Sequence, residues 1–413
     1  MNISQNRIND VGMYCILILN IYIYLISNKQ FGNITLAKYL IILIGLGYFF
    51  VFYKINKNII KSNVILIFIV MVIQFFILPL GVFLIQGITS SIGYSFISLI
   101  CICFYFVIGY FLKDSKKLEV FIKLFYFMTL IYIFIAVLQN PSSISISNIK
   151  DNLFNINERM SRQFYGFAAP NAFAILSVSN IVSAVYLAII YKKSIMKKLL
   201  IIFTIVINII FIITTGSRGA LISLIVFFGV FFYNKFLIKR VNKVVAYIIT
   251  SILVIYILNK IIYFFSLGLN YSQLSSGRLE NWLNVIYRLN ERKSILIGLG
   301  YVNSNTFYSS EATINLLTDN WFIHTLATQG VLGLILGISL IILILVSLYK
   351  NKEYCDKNNY MKSFMILILV YSSIENMFFN VNYILTMIFW IFIFTHLFEQ
   401  LDTNKKNWRN KNE

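Results

Sequence analysis

Apolar runs of about 20 residues recur along this chain from residue 12 to residue 398, and each is long enough to cross a hydrocarbon core about 30 Å thick. That feature removes most fold classes. Lipid offers the backbone no hydrogen bonds, and helices satisfy their own N–H and C=O groups segment by segment. The expected fold is all-α, a polytopic integral membrane protein. The composition agrees, since 59% of the 413 residues are hydrophobic and 12% are charged, about half the charged share of a soluble chain. No room is left for a separate soluble domain, and residues 1–413 read as one transmembrane domain.

Twelve spans are expected, near 12–27, 36–53, 63–86, 92–112, 119–139, 170–190, 199–215, 219–233, 244–266, 319–349, 363–378 and 380–398. The first follows a nearly neutral start with Arg7 and Asp10, and no small-residue cleavage site comes after it, so it reads as a retained helix. Pro79 is expected to kink the third span. The tenth is too long for one untilted crossing, so its first turn should stand proud of the membrane or lie inside an external cavity. Cys15, Cys101, Cys103 and Cys355 form no CxxC pair and read as free, structural thiols.

The connecting loops alternate in charge. One set holds KINKNIIK (54–61), KDSKK (113–117), KKSIMKK (192–198), NKFLIKRVNK (234–243) and KNKEYCDKNNYMK (350–362), with both termini. This set carries 23 of the 35 basic residues, and the positive-inside rule places it, with both termini, on the cytoplasmic side of the membrane. Topology thus explains the net charge of +20, and nucleic acid is not an expected partner. The opposite set includes two long extracytoplasmic loops, 140–169 and 267–318, whose lengths suggest function rather than connection.

Lysine and arginine divide differently between the two sets. The cytoplasmic set has 20 Lys and 3 Arg, whereas the outer set has 4 Lys and 6 Arg. The six are Arg159, Arg162, Arg218, Arg278, Arg288 and Arg292. Arginine therefore sits where the topology rule disfavours positive charge. Its planar fork grips phosphate or carboxylate through two hydrogen bonds, which a lysine ammonium cannot do. The cluster points to an anionic ligand at the outer face.

Each motif has a plain structural alternative. In GSRG (216–219), Ser217 is a candidate helix cap and Arg218 a candidate anion ligand beside free backbone N–H groups. The alternative is a hairpin whose arginine snorkels to headgroups. In SSGRLENWLNVIYRLNERK (275–293), Leu279, Trp282, Val285, Ile286 and Leu289 form one apolar arc at helical spacing, with Arg278, Arg288 and Arg292 along one border. That is an interfacial helix before the tenth span, serving either as an anchor or as a support for ligand-binding arginines. IGLGY (297–301) reads as a turn back towards the membrane. In RQFYGFAAPNAF (162–173), Gly166 and Pro170 fit a turn and Asn171 is a candidate cap, which leaves Arg162 without a structural reason.

In TDNWFIHTLATQG (318–330), Asp319 or Asn320 caps the tenth span, or the Asp319 carboxylate serves as a base. His324 reads as a packing residue. Glu375 falls inside an expected span, where a carboxylate needs a partner or a role, and one of the arginines is the natural partner. No Walker A motif is present, and two histidines with four scattered cysteines make no zinc site. Neither a cofactor nor a metal is expected.

Four stretches carry a resemblance: RQFYGFAAPN (162–171), TTGSRGAL (214–221), SSGRLENW (275–282) with IGLG (297–300), and DNWFIHTLATQGVLGL (319–334). In order and spacing they resemble the O-antigen ligase and Wzy-type polysaccharide polymerase family of bacterial inner-membrane glycosyltransferases. The resemblance implies a metal-independent enzyme that takes sugars from a polyprenyl pyrophosphate carrier in the outer leaflet. By position, Arg218 and Arg278 would hold the pyrophosphate, with Arg162 at the rim of the same cavity. Arg288, Arg292, Asn320 and Glu375 complete the candidate substrate-binding set. Ligases of this family typically carry a histidine, proposed as the base, where this chain has Asp319. The departure favours a polymerase of capsule, exopolysaccharide or O-antigen repeat units over a ligase, with Asp319 as the candidate catalytic carboxylate. A flippase for the same lipid-linked unit is the rival of another class. Beyond the lipid bilayer and the lipid-linked oligosaccharides, the protein partners this implies are a flippase and a chain-length regulator.

Overall fold

The computed structural model describes residues 3–27, 35–55, 63–87, 89–141, 147, 149–150, 152, 162–191, 194–237, 278–301, 319–350 and 356–412. Among these residues the chain is helical, with no strand. Twelve helices follow in order: α1 (Ile3–Ser27), α2 (Thr35–Phe52), α3 (Asn63–Gln86), α4 (Thr89–Phe111), α5 (Ser115–Leu138), α6 (Pro170–Ile190), α7 (Ile195–Thr214), α8 (Arg218–Phe232), α9 (Arg278–Glu291), α10 (Trp321–Lys350), α11 (Asp356–Ser372) and α12 (Ile384–Asn412). Nine of the described helices are long and apolar enough to cross a membrane, and α2 adds a shorter apolar one at Leu36–Phe52. The expected span at 244–266, the candidate Arg159 and Cys355 lie outside the described residues.

Two of the expected spans need correction. In place of 363–378 and 380–398, α11 ends at Ser372 and α12 begins at Ile384. The segment between them, 373–383, is a run of turns. Its polar side chains compete with helical pairing: the Asn380 side chain accepts from the Asn382 N–H at 3.0 Å, and Ser373 Oγ donates back to Val370 O at 2.7 Å. Glu375 therefore lies in a turn between helices, not within a span.

Irregularities in two long helices follow from single residues. In α3, a wide π-type turn over Ile73–Ile77 comes just before Pro79. Proline lacks an N–H and its ring would strike the carbonyl four residues back, and the wider turn relieves both problems. Helix α10 is broken at Gly330, which has φ 68° and ψ −164°, a conformation open essentially only to glycine. The break exposes carbonyls at 327–328 and N–H groups at 331–332. The segment after α9 pairs with them. Gly300 N–H donates to Thr328 O at 3.0 Å, Leu299 N–H to Ala327 O at 2.6 Å, Val331 N–H to Ile295 O at 2.9 Å and Leu332 N–H to Leu296 O at 3.2 Å. The tenth expected span is thus a short helix before Gly330 and a longer one after it, joined at a break that a strap over 294–301 seals.

Helices α6 and α12 form the centre of the bundle. Helix α6 packs on α5, α7, α8, α11 and α12, and small residues such as Ala174, Ser177, Ser179, Ser183 and Ala184 lie buried along it. Small side chains let helices approach closely where lipid supplies no hydrophobic drive. A buried polar network ties α5, α6 and α7: Asn180 Nδ2 donates to Tyr126 O and Thr129 Oγ1, and Asn208 Nδ2 donates to Asn180 Oδ1.

The two loop sets fall at opposite ends of the bundle. At the lysine end, Lys117 pairs with Asp10, Lys113 with Asp402 and Lys357 with Glu399. At the other end the arginine-bearing segments meet, as the strap's Gly298 meets Gln86 and as Arg162 meets Thr215.

Candidate active site

Four separate pieces of sequence, plus one turn, converge at the arginine end. Arg278 opens α9. Its Nε donates to Asp319 Oδ2 at 3.1 Å and its Nη2 to Glu375 Oε1 at 2.8 Å. Glu375 Oε1 also accepts from Asn171 Nδ2 at 2.7 Å. Asn171 Oδ1 in turn accepts from Arg162 Nη2 at 2.7 Å, and Arg162 Nε donates to Thr215 O at 3.0 Å. One continuous chain of bonds therefore runs from the end of α7 through Arg162, Asn171, Glu375 and Arg278 to Asp319.

Arg218 is the exposed first residue of α8. The turn before it is shaped by Gly216, with φ 63°, where a Cβ would come within 3.0 Å of Asn152 Oδ1 and 3.1 Å of Arg162 Cγ. On its other side, a Cβ on Gly219 would meet Ile374 Cγ2 at 2.8 Å, beside Glu375. The SRG turn is thus wedged between Arg162 and the Glu375 segment, and the α8 N-terminus carries N–H groups suited to an anion.

Several local expectations are corrected. Ser217 occupies the cap position but makes no side-chain cap bond. Asn171 does not cap α6, whose cap position is Ala169 with Pro170 in the first turn. Its amide instead bridges Arg162 and Glu375. Asn320, not Asp319, caps α10, accepting from Phe322 N–H at 2.8 Å and Ile323 N–H at 3.2 Å, while its Nδ2 donates to Ser373 O at 2.8 Å. This division of labour leaves the Asp319 carboxylate available to Arg278. Asn320 thus ties the Glu375 segment to α10.

Arg288 and Arg292 stand apart from this chain of bonds. Arg288 pairs with Glu291 one turn away on α9, at 2.9 Å, and Arg292 is exposed just beyond that helix. Helix α9 is amphipathic as expected. Val285 and Leu289 are buried with Leu299 and Ala327, while Leu279, Leu283 and Ile286 are exposed. His324 lies next to Tyr301 of the strap, outside the bonded chain.

Exposure is graded across the cluster. The Asp319 side chain is 46% exposed, Arg278 25% and Glu375 10%. Burial, with the nearby Asp319 charge adding to it and the Arg278 charge opposing it, raises the Glu375 carboxyl from its ordinary 4.5 to about 7. Tyr383, in the same turn segment, is also raised by burial and by Glu375 and Asp319. Arg162 and Arg278 are thus bonded in one chain with two carboxyl groups, Glu375 and Asp319, and Arg218 opens the helix whose preceding turn is wedged beside Arg162. Among the described residues no group of three His, Cys, Asp or Glu is placed to hold a metal ion.

Such an arrangement can hold an anion against a helix N-terminus and can offer a carboxylate to a hydroxyl. The chain matches no curated protein, but residues 203–338 match the family model described as O-Antigen ligase. The match spans the SRG turn, α9 with Arg278, the strap and the start of α10, while Arg162, Asn171 and Glu375 lie outside it. Residues 203–338 are thus similar to the O-antigen ligase family, the one whose motifs the chain resembles.

Proposed function

We propose that this membrane protein joins polyprenyl-pyrophosphate-linked oligosaccharide units at the outer face of the bacterial cytoplasmic membrane, making a capsular, exopolysaccharide or O-antigen polymer. The family match supports glycan transfer within a membrane protein. The observation that supports the finer reading most is the meeting of Arg278, Arg162 and the Arg218 turn around Asp319 and Glu375.

In this reading the donor's diphosphate lies against Arg218 and the α8 N-terminus, with Arg278 and Arg162 on its flank. The acceptor hydroxyl attacks the anomeric carbon, a new C–O bond forms, and the bond from that carbon to the diphosphate oxygen breaks. The bonding electrons leave with the lipid diphosphate. Its growing charge is stabilised by guanidinium groups that are already oriented, each contact contributing about 1.5–3 kcal/mol. The hydroxyl proton passes to the Asp319 carboxylate, the more exposed of the two acids. Glu375 and Asn171 hold Arg278 and Arg162 in place.

A ligase that moves a finished polymer to another acceptor is the second reading, favoured by the description of the matched family. Asp319 in place of the ligase histidine favours the polymerase. A transporter for the same unit should place its charged site among broken helices near the midplane. The arginines here lie at helix ends, which favours chemistry at one face. Purified full-length protein should extend synthetic lipid-linked units without added ATP. In cells, deletion should leave single-repeat glycans; full-length polymer left on its carrier would indicate the ligase, and substrate accumulating inside the cell a flippase.

A further inference from the structure

Lys38 is a buried charge that the site as described does not use. It lies in the first turns of α2 and is 1% exposed. Its ammonium is met by neutral groups. Nζ donates to Val381 O at 2.9 Å and to Asn382 Oδ1 at 3.0 Å, and the rings of Tyr24 and Tyr39 lie 4.8 Å and 4.7 Å from it. Burying an ammonium costs free energy that these contacts must offset, and removing one of its acceptors leaves it few alternatives. Val381 O also accepts the Tyr24 hydroxyl at 3.0 Å. Side chains from α1 and α2 therefore grip a single carbonyl.

That carbonyl belongs to the 373–383 turn segment, the one that carries Glu375. Its first residues still bond back onto α11, Ser373 N–H to Leu369 O at 3.1 Å and Glu375 N–H to Tyr371 O at 2.7 Å, and side chains of its neighbours hold several of its carbonyls. Asn320 donates to Ser373 O, Thr386 to Met377 O, Trp390 to Phe378 O, and Lys38 with Tyr24 to Val381 O. Of these donors Lys38 is the charged one, and charge-assisted hydrogen bonds are the stronger kind. Its contact spans 343 residues of sequence and lies outside the family-matched segment.

We propose that Lys38 is a positioning residue: by pinning Val381 and Asn382 it sets where the 373–383 segment stands, hence where Glu375 stands and how Arg278 is aimed. The consequence for activity rests on the reading of Arg278 as a ligand of the donor diphosphate. The pinning itself does not.

The test uses purified full-length protein carrying Lys38→Met, which keeps the length and removes the charge, and Lys38→Arg, which keeps the charge. Hydrogen exchange in 373–383 should rise in Lys38→Met and stay near wild type in Lys38→Arg. With synthetic lipid-linked donor, Lys38→Met should lower kcat by about 10- to 100-fold, as a small misplacement of a reacting group does, with KM little changed. In a Glu375→Gln background the same substitution should cost little more, because both act through Arg278. Losses that multiply in the double variant, or unchanged exchange in 373–383, would overturn the proposal. Should Lys38→Met fail to fold, Tyr24→Phe loosens the same grip while leaving both acceptors of the Lys38 ammonium in place, and unchanged exchange in that variant would count equally against the proposal. If exchange rises in a protein whose wild type makes no polymer, the pinning by Lys38 stands and the proposed function fails.

Discussion

Arg278 and Glu375, 97 residues apart in sequence, meet through a 2.8 Å hydrogen bond at one end of the helical bundle. The carboxylate is 10% exposed and the guanidinium 25%. A lone carboxylate at such a site would be expensive to ionise; here Arg278 and Asn171 share the burden. The guanidinium in turn is held in one orientation before any ligand arrives, which is what transition-state stabilisation by a fixed charge requires. Glu375→Gln should keep one acceptor for Arg278 but lose the charge. Activity with lipid-linked donor should fall while the protein still folds; unchanged kcat in this variant would remove Glu375 from the machinery.

The same pair predicts a pH dependence of stability. The Glu375 carboxyl is raised from 4.5 to about 7, so between these values the folded protein binds a proton that the unfolded chain has released. The stabilisation from the protonated form is complete below about 4.5 and is lost as pH rises through about 7. Its upper size is on the order of 3 kcal/mol, because each tenfold difference in proton affinity between the folded and unfolded chain is worth about 1.4 kcal/mol. Thermal melts in detergent from pH about 5 to about 8 should show wild type losing stability relative to Glu375→Gln. Parallel curves for the two proteins would show that the carboxyl titrates at an ordinary value.

Arg218 separates charge from shape. It stands exposed at the α8 N-terminus beside a glycine turn wedged against Arg162. Arg218→Lys keeps the charge and loses the fork. Loss of one charge-assisted hydrogen bond of about 1.5–3 kcal/mol lowers kcat/KM by about tenfold or more. The melting temperature should hardly change, because the side chain is exposed. Near-normal polymer from this variant would argue against a diphosphate clamp.

Asp319 and its neighbour Asn320 have separable jobs. Asn320 caps α10 and ties it to Ser373, so Asn320→Ala should cost stability, about 1 kcal/mol for the cap alone. Asp319 makes no cap bond among the described contacts, and its pair with Arg278 is half in solvent. Asp319→Asn should therefore change stability by less than about 1 kcal/mol while activity falls sharply. A variant that retains full activity would show that the proton goes elsewhere.

The parts of this architecture written in local pattern are legible in the sequence. The apolar runs specify the helices, because length and hydropathy alone decide a span. The arginine-bearing segments stand out in the sequence, and in the structure Arg162, Arg278, Asp319 and Glu375 are linked in one chain of bonds. The partnerships themselves are not legible. A helix sequence encodes which face is apolar, not which helix will lie beside it. Asn171 sits where a cap is common, next to Pro170, and nothing in its neighbourhood indicates that it bridges Arg162 and Glu375 instead. Glu375 reads as part of a span because SSIENMFFNVNY is apolar enough to continue one. Its asparagines and serine turn the chain only because Asn320, Thr386, Trp390 and Lys38 are there to take up the freed carbonyls. Arg288, on the same face pattern as Arg278, finds a partner one turn away.

The break in α10 is the other feature that sequence pattern hides, since Gly330 sits within a stretch, 319–349, that reads as one long span. Its backbone, at φ 68° and ψ −164°, is strained for any residue with a Cβ. A Cβ there would also press on the backbone of Leu296 and Gly298, which cannot move without breaking the strap's bonds to 327–332. Gly330→Ala should destabilise by at least about 1–3 kcal/mol and should raise hydrogen exchange across 294–301. Gly47 in α2 is the matched control, being helical with no atom within 4 Å of a new Cβ. There the same substitution should stabilise by about 0.5–1 kcal/mol. Because the strap connects α9 to α10, loosening it should also disturb the Arg278–Asp319 pair, so activity in Gly330→Ala should fall further than its melting temperature alone explains. If both glycine variants melt alike, the break at Gly330 is not a structural requirement of this fold.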